Sequence, residues 1–185
     1  MRKIITIATM IFSLLIGTAY AEFFYNSEQS GLWTAVGIIG DEKNPRCLSF
    51  MEYEDGSSVE VVKDMKDGEL YIIIYNTDWN ITDEPGVTGN GQMRFIKGNN
   101  ITATNDIELL LVNKNTVAIP NIYDDIFIPQ FMKNDSMRLI MPGTTSNISI
   151  PLTGTMGVVE KMIECFYAFK DVGTDNKVNA PGKDA

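Results

Sequence analysis

Carboxylates are the residues of this chain that are best able to do acid–base chemistry. The sequence contains 24 Asp and Glu residues and no histidine. Without histidine, a Ser-His-Asp or Cys-His site cannot be built, and the commonest general base near neutral pH is missing. The acidic groups that could act instead fall in three places. They are Glu52, Glu54 and Asp55; Asp78, Asp83 and Glu84; and Asp124 with Asp125.

Two chemistries remain open to these carboxylates. A glycan hydrolase needs two carboxyl groups held about 5–10 Å apart across a sugar, and nothing in the sequence spacing shows such a pair. Asp78, Asp83 and Glu84 could hold calcium, but the D-x-D-x-D-G ladder is missing. We therefore predict no catalytic residue, no metal and no cofactor, and keep a carboxylate-dependent glycan hydrolase as the alternative function.

The two cysteines, Cys47 and Cys165, are the other reactive residues. They could form a redox pair or a static disulfide. No C-x-x-C motif is present to lower a thiol pKa, and two cysteines alone cannot complete a structural zinc site. An even pair in an oxidising compartment indicates a disulfide. We predict a bond between Cys47 and Cys165.

An aromatic and acidic segment at residues 123–131 is the best candidate for a contact surface. Large apolar residues in a loop often mark such surfaces, and Trp and Tyr are favoured at interfaces. The same rings could equally belong to the core, and the sequence leaves both interpretations open. The candidate binding residues are Trp79, Tyr123, Asp124, Asp125, Phe127 and Phe131.

The first 21 residues have the pattern of a secretory signal peptide. Arg2 and Lys3 precede an apolar run at residues 4–16, and Ala19-Tyr20-Ala21 is a small-x-small cleavage site. The apolar run is too short to span a membrane comfortably. We expect removal of residues 1–21, a periplasmic or secreted bacterial protein, and no integral membrane segment after cleavage.

The charge of the chain restricts its partners. The formal net charge is −9, and loss of Arg2 and Lys3 would make it more negative. Nucleic acid and anionic lipid heads would be repelled by such a chain. We predict no nucleic-acid partner and an unknown protein partner.

The elements that must position these residues are mostly strands. Short apolar or alternating runs are separated by turn residues, with a strong hairpin signal at Asp55-Gly56. The run at 70–75 predicts a central strand buried on both faces, while 22–30 fits either a first strand or a loose lead-in. The other predicted strands are 31–39, 46–53, 58–63, 92–97, 101–104, 107–112, 116–119, 137–141 and 147–152.

Two later segments could be helical. Val158, Met162, Cys165 and Phe169 recur at helical spacing, which predicts one buried face over residues 156–169, with Thr155 as N-cap and an end at Gly173. Residues 123–134 fit either a short helix or an aromatic loop. Pro129 argues against a regular helix there beyond its first turn.

These elements predict a mainly β fold, either an antiparallel β-sandwich or a strongly bent sheet, with one C-terminal amphipathic helix. Residues 22–170 would form a single β-rich domain. Residues 171–185 are polar, with Gly, Pro and Lys, and would be a disordered tail.

The order of several motifs resembles a group of small secreted, β-rich proteins of Gram-negative bacteria. The shared pattern is an early W…C, a Y-x-D/N-G turn, a mid-chain W, and an L-x-G-S/T segment before a helix with a C. The resemblance covers residues 31–169 and implies a β-rich periplasmic domain, without a catalytic motif. The matching residues are Trp33, Cys47, Tyr53, Asp55, Gly56, Trp79, Leu152, Gly154, Thr155 and Cys165.

The leading functional prediction is a non-enzymatic periplasmic binding or accessory protein that acts through a protein–protein surface. An inhibitor or immunity-type protein, which blocks its partner, is the sharper form of the same prediction. An acidic, histidine-free, disulfide-closed β body fits a scaffold better than an active site.

Overall fold

A computed structural model describes residues 22–39, 45–65, 68–81, 84–141 and 147–174. The predicted signal peptide, and the predicted tail from residue 175 onward, lie outside this part of the chain. The described residues form ten strands and two helices. The strands are β1 (Glu22–Ser30), β2 (Trp33–Ile39), β3 (Pro45–Glu52), β4 (Ser58–Asp64), β5 (Leu70–Tyr75), β6 (Thr88–Lys97), β7 (Asn100–Asn113), β8 (Thr116–Ile122), β9 (Ser136–Ile140) and β10 (Asn147–Pro151). The helices are α1 (Asp124–Lys133) and α2 (Thr155–Thr174).

All ten strands belong to one antiparallel sheet, in the order β1-β2-β3-β4-β5-β8-β7-β6-β9-β10. The first five strands form a meander. The chain then passes to β6, and the β6–β7–β8 meander returns so that β8 pairs with β5. Helix α1 carries the chain from β8 to β9, which pairs with β6. The open sheet with its C-terminal helix confirms the bent-sheet form of the predicted fold.

Strand β3 shows why the sequence folds this way. Its residues alternate between the buried inner face, which carries Cys47, Ser49 and Met51, and the outer face, which carries Leu48 and Phe50. This is the predicted alternation, because successive side chains of a strand point to opposite faces. The inner residues of the sheet join one hydrophobic cluster with both helices.

The turn between β3 and β4 confirms the predicted hairpin signal. The Asp55 carboxylate accepts a 2.8 Å hydrogen bond from the Ser57 backbone N–H. Gly56 has φ +82°, a left-handed conformation that glycine adopts without steric penalty.

The two ends of the sheet meet where the β1–β2 turn contacts the β10–α2 turn. The Leu32 N–H donates a 3.2 Å hydrogen bond to the Thr153 carbonyl oxygen. Gly31 and Gly154 lie face to face there, and a Cβ on Gly31 would be 2.5 Å from the Thr153 oxygen. Only glycines allow the two backbones to approach this closely.

Residues 124–133 form a helix despite Pro129, so the expectation that Pro129 would prevent a regular helix beyond the first turn is wrong. The ring removes one backbone donor. Phe127 and Phe131, one turn apart, are both buried. Burial of two aromatic side chains offsets the lost hydrogen bond.

Helix α2 is longer than predicted and begins differently. It reaches Thr174, so its last residues lie beyond the predicted domain end at residue 170 and in the predicted tail. Thr155 is the first residue of the helix and not the residue before it, where the N-cap was predicted. The Thr155 hydroxyl lies 2.5 Å from the Phe131 carbonyl oxygen and 2.8 Å from that of Leu152. The threonine therefore ties α2 to α1 and to the end of β10.

Two strand predictions also differ from the structure. On β5, Leu70, Ile72 and Ile74 are buried, but Tyr71 and Ile73 on the outer face are only half-buried, so the strand is not buried on both faces. Residues 101–104 and 107–112 were expected as two strands and belong to the single strand β7. The polar pair Asn105-Asp106 continues the pairing with β6.

Candidate protein-binding surface

The most exposed part of the predicted aromatic segment is the start of α1. Tyr123 immediately precedes the helix with an extended backbone, and its carbonyl accepts a 2.9 Å hydrogen bond from the Phe127 N–H. Tyr123 is 72% exposed and Ile126 is 50% exposed. Asp124 and Asp125 lie between them, also exposed. We call Tyr123, Asp124, Asp125 and Ile126 the α1 entry patch.

Charge interactions hold the α1 entry patch in place. The Asp124 carboxylate and the Lys63 ammonium form an ion pair of 2.5 Å, which links α1 to β4. Lys63 also donates a 2.6 Å hydrogen bond to the Gly68 carbonyl. Asp124 and Asp125 lie in the first turn of the helix, where negative charge is favourable for the helix dipole.

Phe127 and Phe131 are core residues, which corrects their assignment as contact residues. Phe127 is 2% exposed and Phe131 is not exposed. The Phe131 ring lies 5.1 Å from that of Trp33 in an edge contact, and the Phe127 ring lies 5.9 Å from that of Phe95. Residues four apart share a helix face, so both rings point inward once the segment is helical. They anchor the helix that presents the patch.

Trp79 lies away from the α1 entry patch. It is half-buried and packs against the core, and its carbonyl accepts a 2.5 Å hydrogen bond from the Asn115 side chain in the β7–β8 turn. That turn and Tyr123 flank opposite ends of β8, which has seven residues. A strand of this length spans about 20 Å. The structure therefore separates Trp79 from Tyr123, Asp124 and Asp125.

Two of the other acidic candidates, Asp55 and Asp78, lie in turns. Asp55 accepts the turn hydrogen bond from Ser57, and Asp78 is exposed, with its N–H bonded to the Asn76 side chain at 2.9 Å. Asp83, a member of the candidate calcium site, lies outside the described residues. Within the described ranges, no three or more His, Cys, Asp or Glu side chains are grouped so that they could hold a metal ion.

Glu60 on β4 is a carboxylate that the sequence analysis did not single out. It pairs across the sheet with Phe50 on β3 and Ile73 on β5, so its outward side chain lies between apolar neighbours. Burial raises the pKa of the Glu60 carboxyl. The alternation of β3 and β5 could have indicated an apolar outer face, but only strand order shows that Glu60 lies within it.

Tyr53 also has a perturbed ionisation. Burial raises the pKa of its phenol, and the charge of Asp55 raises it further. The phenol oxygen lies 3.5 Å from the Ser149 carbonyl on β10, so Tyr53 is another contact between the early strands and the last one.

The predicted disulfide is confirmed. Cys47 on β3 and Cys165 on α2 are bonded, with their Cα atoms 6.0 Å apart. Cys47 is 1% exposed and Cys165 is not exposed. The described residues contain no free cysteine. The bond joins the last helix covalently to the third strand, which is the geometry of a structural disulfide.

No protein-family model matches the chain, and no curated protein matches it either. The crystal structure of invasion associated protein B from Bartonella henselae is similar, with a TM-score of 0.49 and 16% sequence identity. The likeness covers 75% of this chain and 96% of that chain.

Proposed function

We propose that the chain is a secreted or periplasmic bacterial protein that acts, without catalysis, by binding a protein partner through the α1 entry patch. An inhibitor or immunity-type role is the specific form that such binding would take. The patch supplies one exposed aromatic ring and one exposed aliphatic side chain beside two carboxylates. A matching partner would offer an apolar recess bordered by Lys or Arg.

The location is supported by the disulfide and by the first residues. Disulfides form and persist mainly in oxidising compartments, and this chain has a buried one between residues 118 positions apart. Residues 1–21 have the charge and apolar pattern of a cleavable signal. Within the described part of the chain, no helix is both long and apolar enough to cross a membrane.

One observation carries the proposed binding role. Tyr123 is 72% exposed although the next turn of its helix is anchored in the core by Phe127 and Phe131. An aromatic side chain on a fixed backbone loses little conformational entropy on binding, and tyrosine is enriched among residues that dominate interface energies. Asp124 and Asp125 would contribute mainly to association rate and partner choice.

A site-specific cross-linking experiment tests the proposal. A photo-reactive amino acid replaces Tyr123 in the secreted chain in its own host, and the matched control carries it at Ile101, which is 55% exposed on β7. We expect a discrete cross-linked protein from position 123 and none from position 101. The purified partner should then bind Tyr123→Ala about tenfold or more weakly, with Ile101→Ala unchanged.

Two results would contradict the proposal. Equal cross-linking from positions 123 and 101 would show that the patch is not a specific interface. Glycan cleavage by the purified chain that is lost on substitution of a carboxylate would instead favour the alternative function, a carboxylate-dependent hydrolase.

A further inference from the structure

Two arginines lie directly opposite each other on the outer face of the sheet. Arg94 on β6 pairs in register with Arg138 on β9. Their strand neighbours Met93, Phe95, Met137 and Leu139 are all buried on the inner face, so both arginine side chains point outward. Cross-strand partners have Cβ atoms about 5 Å apart, which places both guanidinium groups within reach of a single small ligand.

This pairing is electrostatically unfavourable in a chain that is otherwise acidic. Like charges directly opposite each other on neighbouring strands destabilise a sheet. Among the ion pairs formed by the described residues, one contains an arginine, and it joins Arg46 to Asp64. Neither Arg94 nor Arg138 takes part in an ion pair there. An anion between the two guanidinium groups would remove the repulsion.

A short chain of hydrogen bonds fixes one member of the pair. Arg94 donates a 2.8 Å hydrogen bond to the Gln92 side-chain oxygen, and the Gln92 amide donates a 3.2 Å bond to Asp106. Asp106 is therefore engaged with Gln92 rather than with Arg94. A guanidinium held in advance loses less entropy when it binds a ligand.

The residues in register with the two arginines on the next strands are small and polar. Thr104 on β7 pairs with Arg94, and Ser149 on β10 pairs with Arg138. Both are exposed residues with short polar side chains. The row Thr104, Arg94, Arg138 and Ser149 thus crosses four adjacent strands with two long cations at its centre and no bulky group at either side.

We propose that Arg94 and Arg138 form a binding site for a tetrahedral oxyanion, a phosphate or sulfate group. Each guanidinium presents a planar fork of N–H donors that matches two oxygens at a time. Two forks that converge on one ligand need three or four acceptor oxygens, which phosphate and sulfate supply and a carboxylate does not. The site is separate from the α1 entry patch and does not depend on the proposed binding role.

The test measures inorganic phosphate binding to the disulfide-bonded chain at constant ionic strength. The Arg Nε–H resonances are followed by NMR during titration with phosphate, with sulfate and acetate as parallel arms. We expect saturable shifts at Arg138 with phosphate and sulfate, and weaker ones with acetate. Arg94→Gln and Arg138→Gln should each weaken phosphate binding about tenfold or more. Arg138→Lys should also weaken it, although the charge is kept, because lysine lacks the fork of N–H donors.

Arg46→Gln is the matched control, since it removes an arginine that is paired with Asp64 at 3.4 Å. Phosphate also stabilises proteins generally by exclusion from their surface. Stability is therefore compared as the change in urea midpoint between phosphate and chloride. The change should be smaller in Arg138→Gln than in wild type and unaltered in Arg46→Gln. Non-saturable shifts, equal midpoint changes in all variants, or acetate binding as tight as phosphate binding would each overturn the proposal.

Discussion

The indole Nε1 of Trp33 donates a 3.1 Å hydrogen bond to the carbonyl oxygen of Pro151, 118 residues further along the chain. Trp33 opens β2, and Pro151 is the last residue of β10, the strand at the far edge of the sheet. Proline cannot donate to a ladder and is tolerated at such an edge. One buried tryptophan therefore holds the two ends of the bent sheet together.

Trp33→Phe should destabilise the protein by about 1–3 kcal/mol, because the Pro151 carbonyl loses its donor while it remains partly buried. Urea unfolding followed by circular dichroism would measure the difference. Trp79→Phe is the control, since Trp79 is a half-buried loop residue. If both variants unfold at the same urea midpoint, the hydrogen bond does not contribute to closing the sheet.

Gly154→Ala should be far more disruptive than Gly86→Ala. The two glycines have nearly the same left-handed backbone, with φ +95° and +92°. A Cβ at Gly154 would collide with the Ser30 carbonyl and approach the Gly31 Cα to 2.7 Å, whereas a Cβ at Gly86 meets nothing within 4 Å. We expect a loss of about 1–2 kcal/mol from backbone strain at both positions, and a further loss of about 1–3 kcal/mol from the clash at Gly154 alone.

Thermal or urea unfolding of the two purified glycine variants separates these contributions. Because the backbone term is nearly equal in both, the difference between them reports the close contact of the two turns. Equal losses would show that the β1–β2 and β10–α2 turns can move apart without penalty.

Local pattern predicted most of the strands but not how they pair. The alternation of β3 and the Asp55-Gly56 turn are properties of neighbouring residues, and both are confirmed. The return of β8 to pair with β5, across the β6–β7 hairpin, depends on contacts between distant residues that no local period contains. The Asn105-Asp106 pair, which has turn-like composition, is held straight by pairing with β6.

Composition located the candidate surface, but it could not show which of its side chains point outward and which point into the core. Residues 123–131 stood out as acidic and aromatic, yet Phe127 and Phe131 turn inward only because the segment is helical. Pro129 argued against that helix, and burial of the two rings outweighs it. Arg94 and Arg138 are 44 residues apart in the printed sequence, so only strand register brings them together.

Glu60→Gln should raise the free energy of unfolding at neutral pH. Burial between Phe50 and Ile73 raises the pKa of Glu60 in the folded state above its unfolded value. A raised carboxyl pKa favours folding at pH values below the unfolded pKa, and this contribution is lost as the pH rises through the folded pKa. Glutamine has no charge to desolvate, so its contribution does not change over this range.

The free energy of unfolding of wild type and Glu60→Gln is therefore compared from pH 4 to pH 7. The difference should grow as the pH rises. Glu52→Gln, an exposed carboxylate on the neighbouring strand β3, is the control and should show a smaller difference. A Glu60→Gln advantage that is the same at all pH values would mean that ionisation of Glu60 is not its cause.

Removal of the Cys47–Cys165 bond should lower the stability of the protein strongly. The bond closes a segment with a sequence separation of 118. In the chain-entropy model, a crosslink over that length restricts the unfolded chain and so raises the free energy of unfolding by about 4–5 kcal/mol. The double variant Cys47→Ser and Cys165→Ser, measured by urea unfolding beside the oxidised wild type, should show a midpoint lowered accordingly. Helix α2 should also exchange its amide hydrogens faster, because β3 no longer holds it covalently. The buried stripe of Val158 and Met162 is intact in this variant, so an unchanged midpoint would mean that apolar packing alone fixes the helix on the sheet.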